Sequence, residues 1–257
     1  MEGADVIQLM NTQQIIARTF RLYGRHLASL VLVALGPHVA LLLAVLFFEK
    51  LSSDPMTLNV LTMFATVVMN AVALAAITVA VALAATAQAP SVGAVYRLLR
   101  GRNPLALVLA YLITVIATSV AFVPVLAGLM AGGLMVIVTP IMIIPGLVLG
   151  GLFAATIPVI VLERRSALAG IARSMGLMRR DLTKATAIFA FVLLISGFLP
   201  MGFHLTVGLG PLSPLLNTVL GSALLPLAYT ANVLLYFSAR AGEGYTAELL
   251  AGEMQGR

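Results

Sequence analysis

The sequence predicts an all-α integral membrane protein, with six transmembrane helices in three parallel repeats. Each repeat is an amphipathic cytoplasmic elbow helix followed by two spans. Three observations predict this. Apolar residues make up 61% of the chain and charged residues 9%. A water-soluble domain carries about 25% charged residues, so this chain has too few polar groups to cover a water-facing surface. The apolar runs exceed the ~20 residues that cross a bilayer core as helix. Finally, a short basic segment recurs. Ile16–Leu27 reads IARTFRLYGRHL and Ile171–Leu182 reads IARSMGLMRRDL, with six of twelve positions identical at an offset of 155. Ala17, Leu22, Gly24 and Arg25 return 77 residues on as Ala94, Leu99, Gly101 and Arg102. A period near 77 in 257 residues gives three units in one membrane domain, about 10–86, 90–163 and 165–240. A short cytoplasmic tail follows at 241–257.

In chain order, the spans fall at about Leu27–Phe48, Met56–Thr86, Pro104–Met130, Leu134–Leu162, Ala185–Phe203 and Pro214–Ser238. The second and fourth are longer than one crossing needs, so they tilt, bend or extend beyond the lipid. The fourth carries Pro140, Pro145 and Pro158, which predicts a break or kink. Of the 15 Lys and Arg, only Lys50 lies after an odd-numbered span. Short cytoplasmic loops are enriched in Lys and Arg, so both termini are expected in the cytoplasm. The outer connections are Glu49–Pro55, a turn near Gly128–Gly133, and His204–Ser213. All three repeats share one orientation, which argues against the inverted-repeat route to alternating access.

In the third elbow, Leu168, Ile171, Met175 and Met178 recur at helical spacing, with Arg164, Arg165, Arg173, Arg179 and Arg180 filling much of the remainder. In the first elbow, Ile15, Thr19 and Leu22 share a face. Such helices are expected to lie in the membrane interface, arginines among anionic headgroups. The candidate headgroup residues are Arg18, Arg21, Arg25, Arg97, Arg100, Arg102, Arg164, Arg165, Arg179 and Arg180. A plain topological role accounts for the same arginines without a specific lipid site.

The string PVIVLERRSALAGIARSMGLMRRD (Pro158–Asp181) resembles a pattern of polytopic prokaryotic membrane proteins grouped around the membrane domain of glycerophosphoryl diester phosphodiesterase. Glu163, Ala172, Arg173 and Ser174 fit its positions. The close, LLYFSARAGEGYTAELL, is similar to that family's ending at Tyr236, Arg240, Glu243 and Leu250. The opening IIARTFRLYGRHLASLVLV fits its start. The resemblance implies a six-helix domain in the prokaryotic cytoplasmic membrane, of largely undefined role. The diesterase chemistry of fused members belongs to a separate soluble barrel, for which the short segment after the sixth span leaves no place.

Intramembrane polar residues are the candidate cavity groups: His38, Asn70, Asn217 and Asn232. For His38, the bland expectation is that its ring nitrogens serve a neighbouring helix and a carbonyl freed by Pro37. For the asparagines it is interhelical bonding. Ala76, Ala80 and Ala84, the Gly146/Gly150 pair and the Gly128/Gly132 pair permit close helix approach. The three histidines are far apart, with no ligand spacing, and there is no cysteine, so no metal site is expected. No phosphate loop, nucleophile elbow or carboxylate pair is present, so no cofactor and no catalytic residue is expected. Glu163, at a span end beside five arginines, is expected to pair with an arginine and close the elbow.

The leading expectation is a non-enzymatic inner-membrane scaffold or accessory subunit that contacts anionic lipids through its elbows, with a protein partner or a second copy and no nucleic acid. The alternative is a small permease or lipid-handling transporter. A cavity lined by His38, Asn70, Asn217 and Asn232 would favour the alternative, and a tightly packed interior the scaffold.

Overall fold

The computed structural model describes residues 7–131, 135–200 and 213–255, without side chains at 126–131, 135–140, 142, 213, 214 and 255. The described residues are helical, with no strand. The helices are α1 (Thr12–Arg25), α2 (Leu27–Leu51), α3 (Pro55–Ala85), α4 (Val92–Leu99), α5 (Pro104–Ala131), α6 (Met135–Phe153), α7 (Thr156–Glu163), α8 (Ala167–Met178), α9 (Leu182–Leu193), α10 (Ser213–Ala241) and α11 (Ala247–Gln255). Six helical stretches are long and apolar enough to cross a membrane. Gly132 and the loop holding His204 lie outside the described residues.

Composition sets which spans go inside. The second half of α3, ALAAITVAVALAA, is small and apolar on every side, and it is buried almost without interruption from Ala71 to Ala85. α7 is buried from Thr156 to Leu162, and α10 from Pro226 to Ser238. These three segments meet at one end of the bundle. The Leu- and Phe-rich α2, α5 and α9 lie outside them, with most of their surface left for lipid.

The fourth span is broken, as its prolines predict, but at Ala154–Ala155 rather than at a proline. The break places Pro158 in the first turn of α7, where its missing N–H has no partner to lose. Gly150 and Gly151 sit just before it. A Cβ at Gly150 would come within 2.0 Å of the Phe189 ring, and one at Gly151 within 2.9 Å of the Thr186 backbone nitrogen. At Gly146 a Cβ would meet Phe122 at 2.7 Å. These glycines therefore seat α5 and α9 against α6 within one chain.

Helix α1 does not lie flat across the bundle end. The Met10 amide donates to Ser238 Oγ (2.9 Å), and the Tyr23 hydroxyl donates to the Ala223 carbonyl (2.7 Å). Those acceptors are ~22 Å apart along α10 at 1.5 Å per residue, so α1 runs antiparallel beside α10. Its buried residues are Ile15, Thr19 and Leu22, the face given by the spacing, and protein rather than lipid covers them. α8 departs further from expectation. It buries Ala167, Gly170, Ser174, Leu177 and Met178, while Leu168 is 71% exposed. The small residues win because Gly170 must admit Ile160 of α7.

Each short helix gives a hydroxyl to a span near a defect in its backbone ladder. Pro37 cannot donate to the Val33 carbonyl, and Tyr96 of α4 does so instead at 2.8 Å. Tyr23 reaches Ala223 near Pro226. Ser174 of α8 donates to Leu152 at 2.8 Å, just before the α6–α7 break. His38 differs from expectation: its Nδ1 lies 2.8 Å from the Ala34 carbonyl of its own helix, and the carbonyl freed by Pro37 belongs to Tyr96. Tyr96→Phe orphans a carbonyl inside the bundle and is expected to cost about 1–3 kcal/mol, measured as lost thermal stability in detergent. In a Pro37→Ala background the restored N–H serves Val33, so Tyr96→Phe should then cost little. Equal losses in both backgrounds would refute this account.

Candidate functional site

Two sites emerge, a charge cluster at one bundle end and a cavity within the spans. The cluster starts from Glu163, the last residue of α7. Its side chain is 7% exposed. Arg165 Nε lies 2.9 Å from Glu163 Oε2, Arg173 Nε 3.5 Å from the same oxygen, and Arg240 Nε 3.6 Å from Oε1. The Tyr236 hydroxyl donates to Oε1 at 3.3 Å. Glu243 holds a second node: Arg173 grips it with both terminal nitrogens, and Arg180 and Arg240 each reach it at 3.0 Å. Burial alone would raise the Glu243 carboxyl. The hydrogen bonds from Arg173 and Arg240, with the charges of Arg173 and Arg180, outweigh that and lower its pKa. Glu253 of α11 closes the cluster through the Tyr245 hydroxyl and, at 3.7 Å, Arg240. The Tyr245 ring lies 4.3 Å below the Arg240 guanidinium. Burial, then the bond to Glu253, raises the Tyr245 pKa.

The local backbone explains how α7 and α8 present these groups. Arg164 takes a left-handed conformation (φ 55°), which reverses the chain directly after Glu163. For a non-glycine residue this costs ~1–2 kcal/mol, and the ion pairs on either side hold it. Glu163, Arg173, Arg240 and Glu243, distant in sequence, thus share one cluster. Ser174 faces away, toward Leu152.

Several arginines expected at headgroups are placed otherwise. Arg165 and Arg180 pair with Glu163 and Glu243. Arg102 is 8% exposed, and its Nε and Nη1 have no hydrogen-bond partner. Burial and the nearby Arg164 charge lower its pKa, with Glu253 opposing. It is enclosed by protein because the α4–α5 turn tucks in beside the end of α7. Arg18 donates to Met10 Sδ at 3.4 Å. Arg21, Arg25, Arg97, Arg100, Arg164 and Arg179 are exposed. The segment after the sixth span is more than a tail. Helix α11 buries Leu250 and Met254 and supplies Glu253, a residue the sequence reading missed.

The cavity lies among α3, α5, α6, α7, α9 and α10 and measures about 350 Å³. Tyr111, Thr114, Thr118, Ser119 and Phe122 form one wall, a helical stripe on α5. Phe189, Leu193 and Ser196 form another, where α9 widens into a π-type turn at Leu194–Phe198. Such turns recur at functional sites. Thr156, Tyr229 and Asn232 line it deeper in. An adjoining cavity of about 260 Å³ is lined by His38, Asn70, Leu220 and Gly221, and shares Leu74, Tyr111, Ser196 and Leu225 with the first. Of the four candidate cavity residues, His38, Asn70 and Asn232 line this space. Asn217 does not: it is exposed near the start of α10, where α10 has left the packed centre. The α5 stripe was missed because hydroxyls at helical spacing read as apolar-span filler without knowledge of what they face. Among the described residues no group of acids and histidines could hold a metal.

Compared with protein-family models, characterised proteins and solved structures, the chain matches none.

Glu163→Gln leaves Arg165, Arg173 and Arg240 without an anion at one node. It is expected to lower stability by about 1–3 kcal/mol, read by thermal denaturation in detergent. Combined with Arg240→Gln, the loss should be smaller than the sum of the two single losses. Strict additivity would show that these residues do not act together.

Proposed function

We propose that this chain is a non-enzymatic protein of the prokaryotic cytoplasmic membrane that takes an amphiphile into the cavity between its spans. This is the lipid-handling alternative rather than the bare scaffold. One observation carries it: two adjoining cavities place His38, Asn70 and Asn232 on a shared space inside an apolar bundle. Ligand sites are concave, mostly apolar and furnished with a few polar groups, at volumes of roughly 300–1,000 Å³. The tight packing of α3, α7 and α10 at one end favours binding from the lipid or the far side over passage straight through. The exposed arginines Arg21, Arg97, Arg100, Arg164 and Arg179 suit contact with anionic headgroups around that end.

The three-repeat architecture belongs to the same reading, and kinship with the diesterase membrane-domain group remains part of it. Its support is positional. Ala87 and Arg164, 77 residues apart, both take a left-handed conformation after an inner span, and Gly244 does so after the third. Helices α1, α4 and α8 begin at Asn11, Ser91 and Ser166. Each packs on the spans of the preceding repeat: α4 on α2 and α3, α8 on α5–α7, and α1 on α9 and α10. With the termini in the cytoplasm, Ser53→Cys should react with an impermeant thiol reagent added outside and Ser166→Cys should not. The reverse pattern would overturn the orientation.

The cavity reading is tested by native mass spectrometry of protein extracted gently from its membrane. A bound lipid-sized adduct is expected on the wild type and not on Ala154→Phe, which fills the cavity. Identical spectra, without adduct, would refute the reading.

A further inference from the structure

We infer that the cavity's deep end is a head-group site for an uncharged, hydroxyl-bearing lipid, held by Asn232 and Thr156. The inference rests on the amphiphile reading above and names the chemical class that the cavity takes. Asn232 is 4% exposed and Thr156 1% exposed. Both line the cavity, and Asn232 Oδ1 and Thr156 Oγ1 have no hydrogen-bond partner. A buried polar atom without a partner is costly, and native structures rarely leave one without a reason. Four other hydroxyls on the cavity are already served. Thr114 donates to Tyr111 at 2.9 Å, and Ser196 to Val192 at 2.7 Å. The Tyr111 and Tyr229 hydroxyls meet Asn70 and Thr78. Among the residues that line this cavity, the fully buried polar atoms without a partner are those of Asn232 and Thr156.

The two residues have different needs: a donor for Asn232 Oδ1, and a group that can give to or take from Thr156. A hydroxyl meets either need, as donor or as acceptor. No Asp, Glu, Lys, Arg or His lines this cavity, so a charged head would lie buried and unpaired, at a cost of several kcal/mol. Water alone fits poorly. At ~30 Å³ per molecule the space would hold about a dozen waters, against walls that are mostly apolar, Phe122, Phe153 and Phe189 among them.

Depth makes the ligand a lipid rather than a soluble alcohol. Asn232 lies eight residues from Arg240, ~12 Å along α10. A Cβ at Gly221, nineteen residues from Arg240, would meet the His38 ring at 2.7 Å, and His38 is eleven residues into α2. Leu27 follows four residues after Tyr23, whose hydroxyl reaches Ala223, so the first span begins between the levels of Ala223 and Asn232 on α10. The head-group site thus lies at or beyond the level where the first span begins, on the side of the charge cluster, and the cavity extends from there toward the middle of the bundle. A head at Asn232 and a chain among the aromatic walls match a lipid's own orientation.

The test uses the full chain in phosphatidylcholine nanodiscs with tritiated oleyl alcohol as probe, and oleyl methyl ether and oleate as competitors. Saturable binding of the alcohol is expected, with the ether and oleate displacing it about tenfold less well, the worth of one hydrogen bond. Asn232→Leu and Thr156→Val should each weaken the alcohol about 5–10-fold and leave thermal stability at or above that of the wild type, since each removes an orphaned group. If the ether displaces as well as the alcohol, the head-group inference falls and the amphiphile cavity stands. If no probe binds saturably, both fall. If the two variants lose stability while binding the alcohol as the wild type does, Asn232 and Thr156 are interhelical glue and the inference is overturned. Competition on the wild type alone decides the matter where a variant fails to fold.

Discussion

A backbone carbonyl inside an apolar bundle has no water to fall back on, and this constraint organises the structure. The spans interrupt their own ladders, at Pro37 in α2, at Pro226 in α10 and at the break between α6 and α7. Tyr96, Tyr23 and Ser174 then come from three different short helices to carbonyls at or near those points. The short helices are consequently fixed in position by what the spans lack. Their placement beside the spans follows from this demand more than from any affinity for the membrane surface.

With α8 and the end of α10 drawn together in this way, their arginines crowd the bundle end. Three carboxylates absorb that charge: Glu163 from a span end, Glu243 from the turn after α10 and Glu253 from α11. Buried ion pairs are weak sources of net stability because desolvation offsets much of the attraction. Their effect here is geometric. A guanidinium shared between Glu163 and Glu243 ties α7, α8 and α10 to one arrangement, and breaking one partner orphans several others.

The six spans were legible because composition alone forces burial in lipid, and the boundaries of α2, α3, α5 and α10 follow from where the apolar runs stop. The break in the fourth span was legible from its prolines, though not its position, which depends on the approach of α9 at Gly151. The sequence pointed to Glu163 as an arginine partner. It did not reveal that Arg102 is enclosed or that Arg165 and Arg180 pair with carboxylates, because basic residues near a span end look alike until the fold sets the acids beside them. Asn232 and His38 were legible as intramembrane polar groups. Thr156 and the α5 hydroxyls were not, since a threonine in a helix can always satisfy itself on its own backbone, and only the fold reveals which one does not.

Gly150 and Phe189 carry a consequence for how such a chain can vary. The ring occupies the volume that any side chain at residue 150 would need, down to 2.0 Å for the first carbon. Any chain sharing this packing cannot enlarge residue 150 without shrinking residue 189, nor shrink 189 without opening a void beside the cavity. The two positions, 39 residues apart, therefore form one unit of sequence change. Exchange between them alters the shape of the cavity wall while leaving the helix ladder and the charge cluster untouched.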